Sequence, residues 1–181
     1  MGLVDRLSKE FDLQVEWLGF EIHPETPPEG TPLTAMFPGV DAEAMAGRLN
    51  SMGEPYDIIF RKIERIANSR PALEAGEFAK QQSRFDQFHH AVFQAYFDQG
   101  RDIGSIEVLT EIAGNAGLDA AALQRALRTG TYRQKIKAVK DEAARINVTA
   151  APTFIINDRD RIVGAQPIEV FRDKLRLITP R

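Results

Sequence analysis

The period of the hydrophobic positions changes along this chain, and each change predicts a different element. Residues 2–11 place Leu3, Val4, Leu7 and Phe11 on one helical face. From Leu13 the pattern alternates. Leu13, Val15, Trp17 and Gly19 point one way, and Gln14, Glu16, Leu18 and Phe20 the other, which with their aromatic and β-branched content predicts a strand over 13–20. Residues 23–40, "HPETPPEGTPLTAMFPGV", hold five prolines and two glycines, so an irregular loop follows.

A long helical block comes next, with helices expected over 41–51, 55–68, 72–82 and 84–99. Asp41 can cap the first of these. Ile58, Ile59, Ile63 and Ile66 would face inward from the second. Ser105 caps a helix that stops near Gly117, Asp119 caps another that stops at Gly130, and a third runs over 131–146.

The period then returns to that of strands. "TFIIN" is nearly continuous apolar sequence, "DRDR" supplies a polar turn and "IVGA" a short partner, so 153–164 should form an antiparallel hairpin. Pro167 opens a last amphipathic helix. The helical block, 41–146, thus interrupts an α/β unit formed by 1–40 and 147–181.

Composition narrows the classes of function. The chain has 181 residues and a net charge of −3, with basic residues scattered among acids, which argues against nucleic acid as the main partner. No apolar run reaches membrane-spanning length, and the first residues lack the apolar core of a signal peptide, so the expected location is the cytoplasm. There is no cysteine, hence no disulfide, thiolate metal site or thiol nucleophile in these residues.

The stretches "VEWLGFEIHPETPPEG", "FDQFHHAVFQAYFDQGRDI", "VTAAPTFIIND" and "GAQPIEVF", in this order, resemble the DsbA-like thioredoxin-fold family and within it the FrnE-like oxidoreductases. The resemblance implies an α/β, thioredoxin-like fold with a large α-helical insertion. In that family a first strand leads into a Cys-x-x-Cys motif at the head of the first helix. Here that strand is missing, because Met1 already falls in the helix's first turn. A truncated start is the expectation, since the strand would be central and its neighbours' backbone groups would otherwise stay unpaired. Direct pairing of those neighbours, or a strand from another chain, would also close the gap, and a homodimer is expected on that ground.

By the same resemblance, Pro152 is the cis-proline of the fold. Ala151 offers its backbone N–H and C=O to an extended substrate, and Thr153 starts the strand beside it. The partners implied are protein or peptide thiols, or glutathione, with no cofactor and no metal. No catalytic residue lies in this chain. Asn68, followed by Ser69, is a weaker candidate for a substrate contact, because an Asn-Ser/Thr pair occurs in a comparable place in kappa-type glutathione transferases and 2-hydroxychromene-2-carboxylate isomerases; a helix cap is the alternative. His23 could reach the active-site edge or simply begin the loop. Gly2, Leu3 and Val4 could hold an anion at the first helix's N-terminus or form an ordinary chain end. Asp86 and His90 are spaced to share a metal but lack a third ligand. Phe85, Phe88, Val92, Phe93, Tyr96 and Phe97 read as core. The glutathione-dependent reading would need a serine at the head of the first helix, and Ser8 is too far along it. A binding module that retains only the peptide edge is the remaining alternative.

Overall fold

The structure is a computed structural model, and it describes residues 2–56 and 58–178. The chain divides into two compact units, Met1–Leu18 with Glu142–Arg181, and Gly19–Asp141.

In the first unit, helix α1 (Gly2–Leu7) is shorter than its periodicity suggests, and bonds from the N–H groups of Ser8 and Phe11 to the carbonyls of Val4 and Leu7 close it off. Strands β3 (Thr153–Ile156) and β4 (Asp160–Val163) form the antiparallel hairpin, with Phe154 opposite Ile162 and Ile156 opposite Asp160. Its turn falls on Asn157 and Asp158, both at positive φ, which these side chains tolerate better than most. Helix α9 (Ile168–Ile178) lies with α1 over one face of the hairpin, and Leu7, Ile162, Phe171 and Leu175 form the core between them. Phe154 meets Phe171 edge to face at 4.8 Å. Arg172 ties α9 to the end of α1 through a two-pronged bond to Glu10 at 2.8 and 2.5 Å.

The strand expected over 13–20 is not formed. Those residues carry no ladder, because a strand exists only against a partner and none of the described residues supplies one.

The second unit is mostly helical. Strand β1 (Thr31–Pro32) is followed by the single-turn helix α2 (Leu33–Met36), then α3 (Ala42–Gly53), strand β2 (Arg65–Ile66), α4 (Arg70–Gln81) and α5 (Phe85–Phe93), which runs on as a π-helical turn, Gln94–Asp98. Helices α6 (Ile106–Asn115), α7 (Ala120–Thr129) and α8 (Arg133–Arg145) complete it, although α8 gives its last turn, from Glu142, to the first unit. The caps fall where the sequence puts them: Asp41 accepts from the N–H groups of Glu43 and Ala44, Ser105 from Val108 and Asp119 from Ala122. Phe88, Leu109 and Leu123 are fully buried at the centre.

Residues 55–68 do not form the expected helix. After a 3-10 turn, Glu54–Tyr56, the chain from Ile58 forms no helix and leads into β2. Its β-branched residues favour that conformation, and its backbone finds distant partners. The Asn50 side chain donates to the Phe60 carbonyl and accepts from the Phe60 N–H, both at 2.8 Å, as a neighbouring strand would. Arg61 donates to the Phe97 carbonyl at 2.7 Å, and β2 pairs with β1.

The Pro-rich loop belongs with the helices, so the first junction between the units lies after Leu18 rather than after residue 40. Side chains from β2 and α4 hold the loop. Arg70 reaches buried Glu21 at 3.0 and 3.2 Å and the Pro24 carbonyl at 3.3 Å, while Arg65 donates to the carbonyls of Glu29 and Gly30. Gly30 sits at φ +73°, and a Cβ there would lie 2.7 Å from the Ile66 carbonyl oxygen, so no larger residue fits this crossing. No helix among the described residues is long and apolar enough to cross a membrane.

Candidate substrate-binding edge

Helix α8 is followed by a turn at Ile146 and Asn147, the latter at φ +55°, where the Val148 N–H returns to the Ala143 carbonyl at 2.7 Å. From β4, the Arg161 guanidinium donates to the carbonyls of Ile146 and Asn147. These bonds fix the chain just before residues 150–153. Nothing in the sequence marks Arg161 for this role, because its acceptors are backbone atoms that every residue carries.

The Ala151–Pro152 peptide bond is cis. The Thr153 hydroxyl donates to the Ala150 carbonyl at 2.6 Å, bridging the bend from within. The Gly164 N–H donates to the Pro152 carbonyl at 2.8 Å, which extends the β3–β4 ladder by one step. In an antiparallel pair successive residues turn their N–H and C=O to opposite sides. Phe154 and Ile156 therefore face β4, and the backbone groups of Thr153 and Ile155 point away from it. Ala151 precedes this ladder, across the cis bond. It is exposed, and among the described residues neither its N–H nor its C=O makes a hydrogen bond. Proline at 152 does not interrupt this edge, because its missing N–H would lie on the β4 side. The unbonded backbone of exposed Ala151 and the outward groups of Thr153 leave an open backbone edge beside Pro152, which can pair with an extended chain.

Asn68 and His23 are already engaged within their own unit. Asn68 and His23 belong to the second unit, whereas Ala151–Thr153 belong to the first. The Asn68 amide donates to the Thr26 carbonyl at 2.8 Å and its oxygen accepts from the Arg70 N–H at 3.1 Å. It therefore staples the loop to the start of α4 rather than capping the end of a helix. Ser69 is the N-cap residue of α4 without a side-chain cap bond. His23 pairs with Glu25 at 3.1 Å and meets the Phe37 ring edge to face at 5.8 Å.

Helix α1 has six residues and carries the Asp5 carboxylate in its first turn. Among the described residues no group of three or more His, Asp or Glu gathers as a metal site, Asp86 and His90 included. Phe88 and Val92 are buried core as expected. Phe85, His89, Phe93 and Phe97 instead form a column of rings along α5, with successive centroids 5.0, 4.4 and 5.3 Å apart. Burial pushes the His89 imidazole down to about 4, so it is neutral at physiological pH.

With this geometry established, comparison with known proteins assigns the lineage. Residues 3–176 match the model of the DSBA-like thioredoxin domain. The chain belongs to the DSBA-like thioredoxin family. Within the family it is 34% identical over 168 residues to the uncharacterized protein YwbO of Bacillus subtilis, covering 88% of this chain and 80% of that protein. Its fold is that of a solved structure described as a probable DsbA oxidoreductase from Streptomyces coelicolor, with a TM-score of 0.86 at 24% identity, over 99% of this chain and 85% of the other. A second solved structure, from Nitrosomonas europaea, has a TM-score of 0.72 at 16% identity, over 97% of this chain and 87% of the other. This DSBA-like chain has no cysteine.

Proposed function

We propose that this DSBA-like chain acts in thiol–disulfide exchange by holding the backbone of an extended protein substrate along Ala151–Thr153. The observation that carries this reading is the exposed Ala151, whose N–H and C=O are both open beside Pro152. In such exchange a thiolate attacks one sulfur of the substrate disulfide, forms a mixed disulfide and expels the other sulfur as a thiolate. A second thiol then resolves the mixed disulfide. The chain has no thiol, so both would come from outside these 181 residues. The FrnE-like placing rests on "HPETPPEG" and "GAQPIEVF", and a cytoplasmic setting with peptide or protein thiols as partners belongs to the same reading.

A binding module without redox chemistry is the second reading, favoured by the same free edge in a chain without cysteine. The kappa-type glutathione reading is not favoured, because Ser8 lies beyond the end of α1.

Calorimetric titration tests the edge. An extended peptide carrying a mixed disulfide should bind, and the same peptide N-methylated at alternate backbone positions should not. Equal binding of the two peptides would overturn the reading. Preference for glutathione disulfide over both would favour the glutathione class instead. Binding that ignores the disulfide would favour the plain binding module.

A further inference from the structure

We infer that Arg161 is a positioning residue, which keeps the Ala151 backbone in place for an extended substrate by tying the end of α8 to β4. Arg161 does this through backbone atoms rather than by touching substrate, and its assignment rests on the reading of Ala151 as substrate edge. Three residues, Thr149, Ala150 and Ala151, bridge two fixed points. At one end the Val148 N–H donates to the Ala143 carbonyl, and at the other the Gly164 N–H donates to the Pro152 carbonyl. β4 serves both ends, because Gly164 directly follows it and Arg161 lies within it. The Arg161 guanidinium donates to the Asn147 carbonyl at 3.1 Å and, from its other Nη, to the Ile146 carbonyl.

These carbonyls lie just past Arg145, the last residue of α8, where a helix presents unpaired acceptors and the negative end of its dipole. A cation is favoured there, and this one arrives from another element, 14 and 15 residues away in sequence. The planar fork serves two neighbouring acceptors at once, which the single ammonium of a lysine does less well. Backbone held in this way beforehand need not be ordered when a substrate strand binds. Arg161 stands opposite Ile155 in the hairpin, next to Ile162, which packs in the core with Phe154. Its side chain therefore leaves the sheet on the face away from that core and is exposed, so the fork can be removed without opening the core.

Calorimetric titration with the extended peptide carrying a mixed disulfide should compare the unaltered chain with Arg161→Lys and Arg161→Met. Thermal unfolding and hydrogen exchange of each chain without peptide accompany it. Arg161→Met should weaken binding about tenfold, the effect of ordering roughly one further residue of backbone on binding. Arg161→Lys should fall between the two. In free Arg161→Met the Val148 amide should exchange faster, while the Gly164 amide, at the other end of the bridge, stays protected. A residue that matters only to stability would lower the melting temperature and leave the affinity of the folded chain unchanged, and that result would overturn the inference. So would an unchanged Val148 amide. Should Arg161→Met not fold, Arg161→Lys carries the same comparison, and an affinity equal to that of the unaltered chain overturns the inference. An unaltered chain that does not bind the peptide would instead remove the reading of the edge itself, and the role of Arg161 with it.

Discussion

The Gly164 N–H donates to the carbonyl of Pro152 at 2.8 Å. This single bond sets the parity of β3, because it turns Pro152 toward β4 and leaves Thr153 facing away. Gly164 makes the bond from φ +80°, a conformation that costs an L side chain about 1–2 kcal/mol. There is room for the side chain itself, the nearest atom to a Cβ being Gln166 Nε2 at 3.7 Å. Gly164→Val should therefore lower stability by about 1–2 kcal/mol through the backbone alone. Urea unfolding followed by circular dichroism measures this, and an unchanged midpoint would contradict it.

Asn50 holds the extended segment by both atoms of its amide. Asn50→Ala should cost about 1–3 kcal/mol, the penalty for leaving half-buried backbone groups unpaired. Asn50→Asp should cost about as much despite its similar shape, because a carboxylate cannot donate to the Phe60 carbonyl. Chemical denaturation of the two variants side by side separates lost volume from lost hydrogen bonding.

Glu10 and Arg172 give the first unit an acid-sensitive tie. The hydrogen bond from Arg172 holds the Glu10 carboxyl below the ordinary carboxylate range. A lowered folded pKa means that this stabilisation is complete above the unfolded value and is lost as pH falls through the folded one. Glu10→Gln should remove that part of the acid limb of a stability–pH profile while leaving the neutral plateau nearly flat.

Glu74 has the opposite sign. It is buried, and burial raises its carboxyl above the ordinary range despite Arg133 at 3.9 Å and the nearby Arg70, with Glu21 adding to the rise. The folded chain then holds this proton more tightly than the unfolded one, so stability is greatest below the unfolded pKa and falls as pH rises through the folded value. Glu74→Gln should flatten that fall, and thermal unfolding from acid to neutral pH should show the difference.

Much of the fold was legible where short-range physics decides it. Asp41, Ser105 and Asp119 announce helix starts because their side chains bond backbone one turn ahead. Gly117 and Gly130 announce stops because they sit at φ +75° and +65°. The hairpin was legible from "TFIIN" and "IVGA". The misreading of 55–68 has a distant cause. Four isoleucines at near-helical spacing also suit an extended chain, and Asn50, Phe97 and β1 decide between the two. The strand over 13–20 was read from a pattern that needs a partner strand. Of the candidate edge, Pro152 and its neighbours stood out in sequence, whereas Arg161 did not, and Asn68 looked available until its bonds to Thr26 and Arg70 were seen.

The most direct test of the edge is the backbone amide of Ala151, observed by nuclear magnetic resonance on isotope-labelled chain during titration with an extended, disulfide-bearing peptide. A substrate strand at this edge should shift the Ala151 and Thr153 amides together and slow their hydrogen exchange, with Phe154, whose N–H is already spent on β4, changing far less. Saturable binding that leaves Ala151 and Thr153 unmoved would contradict the assignment and put the substrate site elsewhere on the molecule.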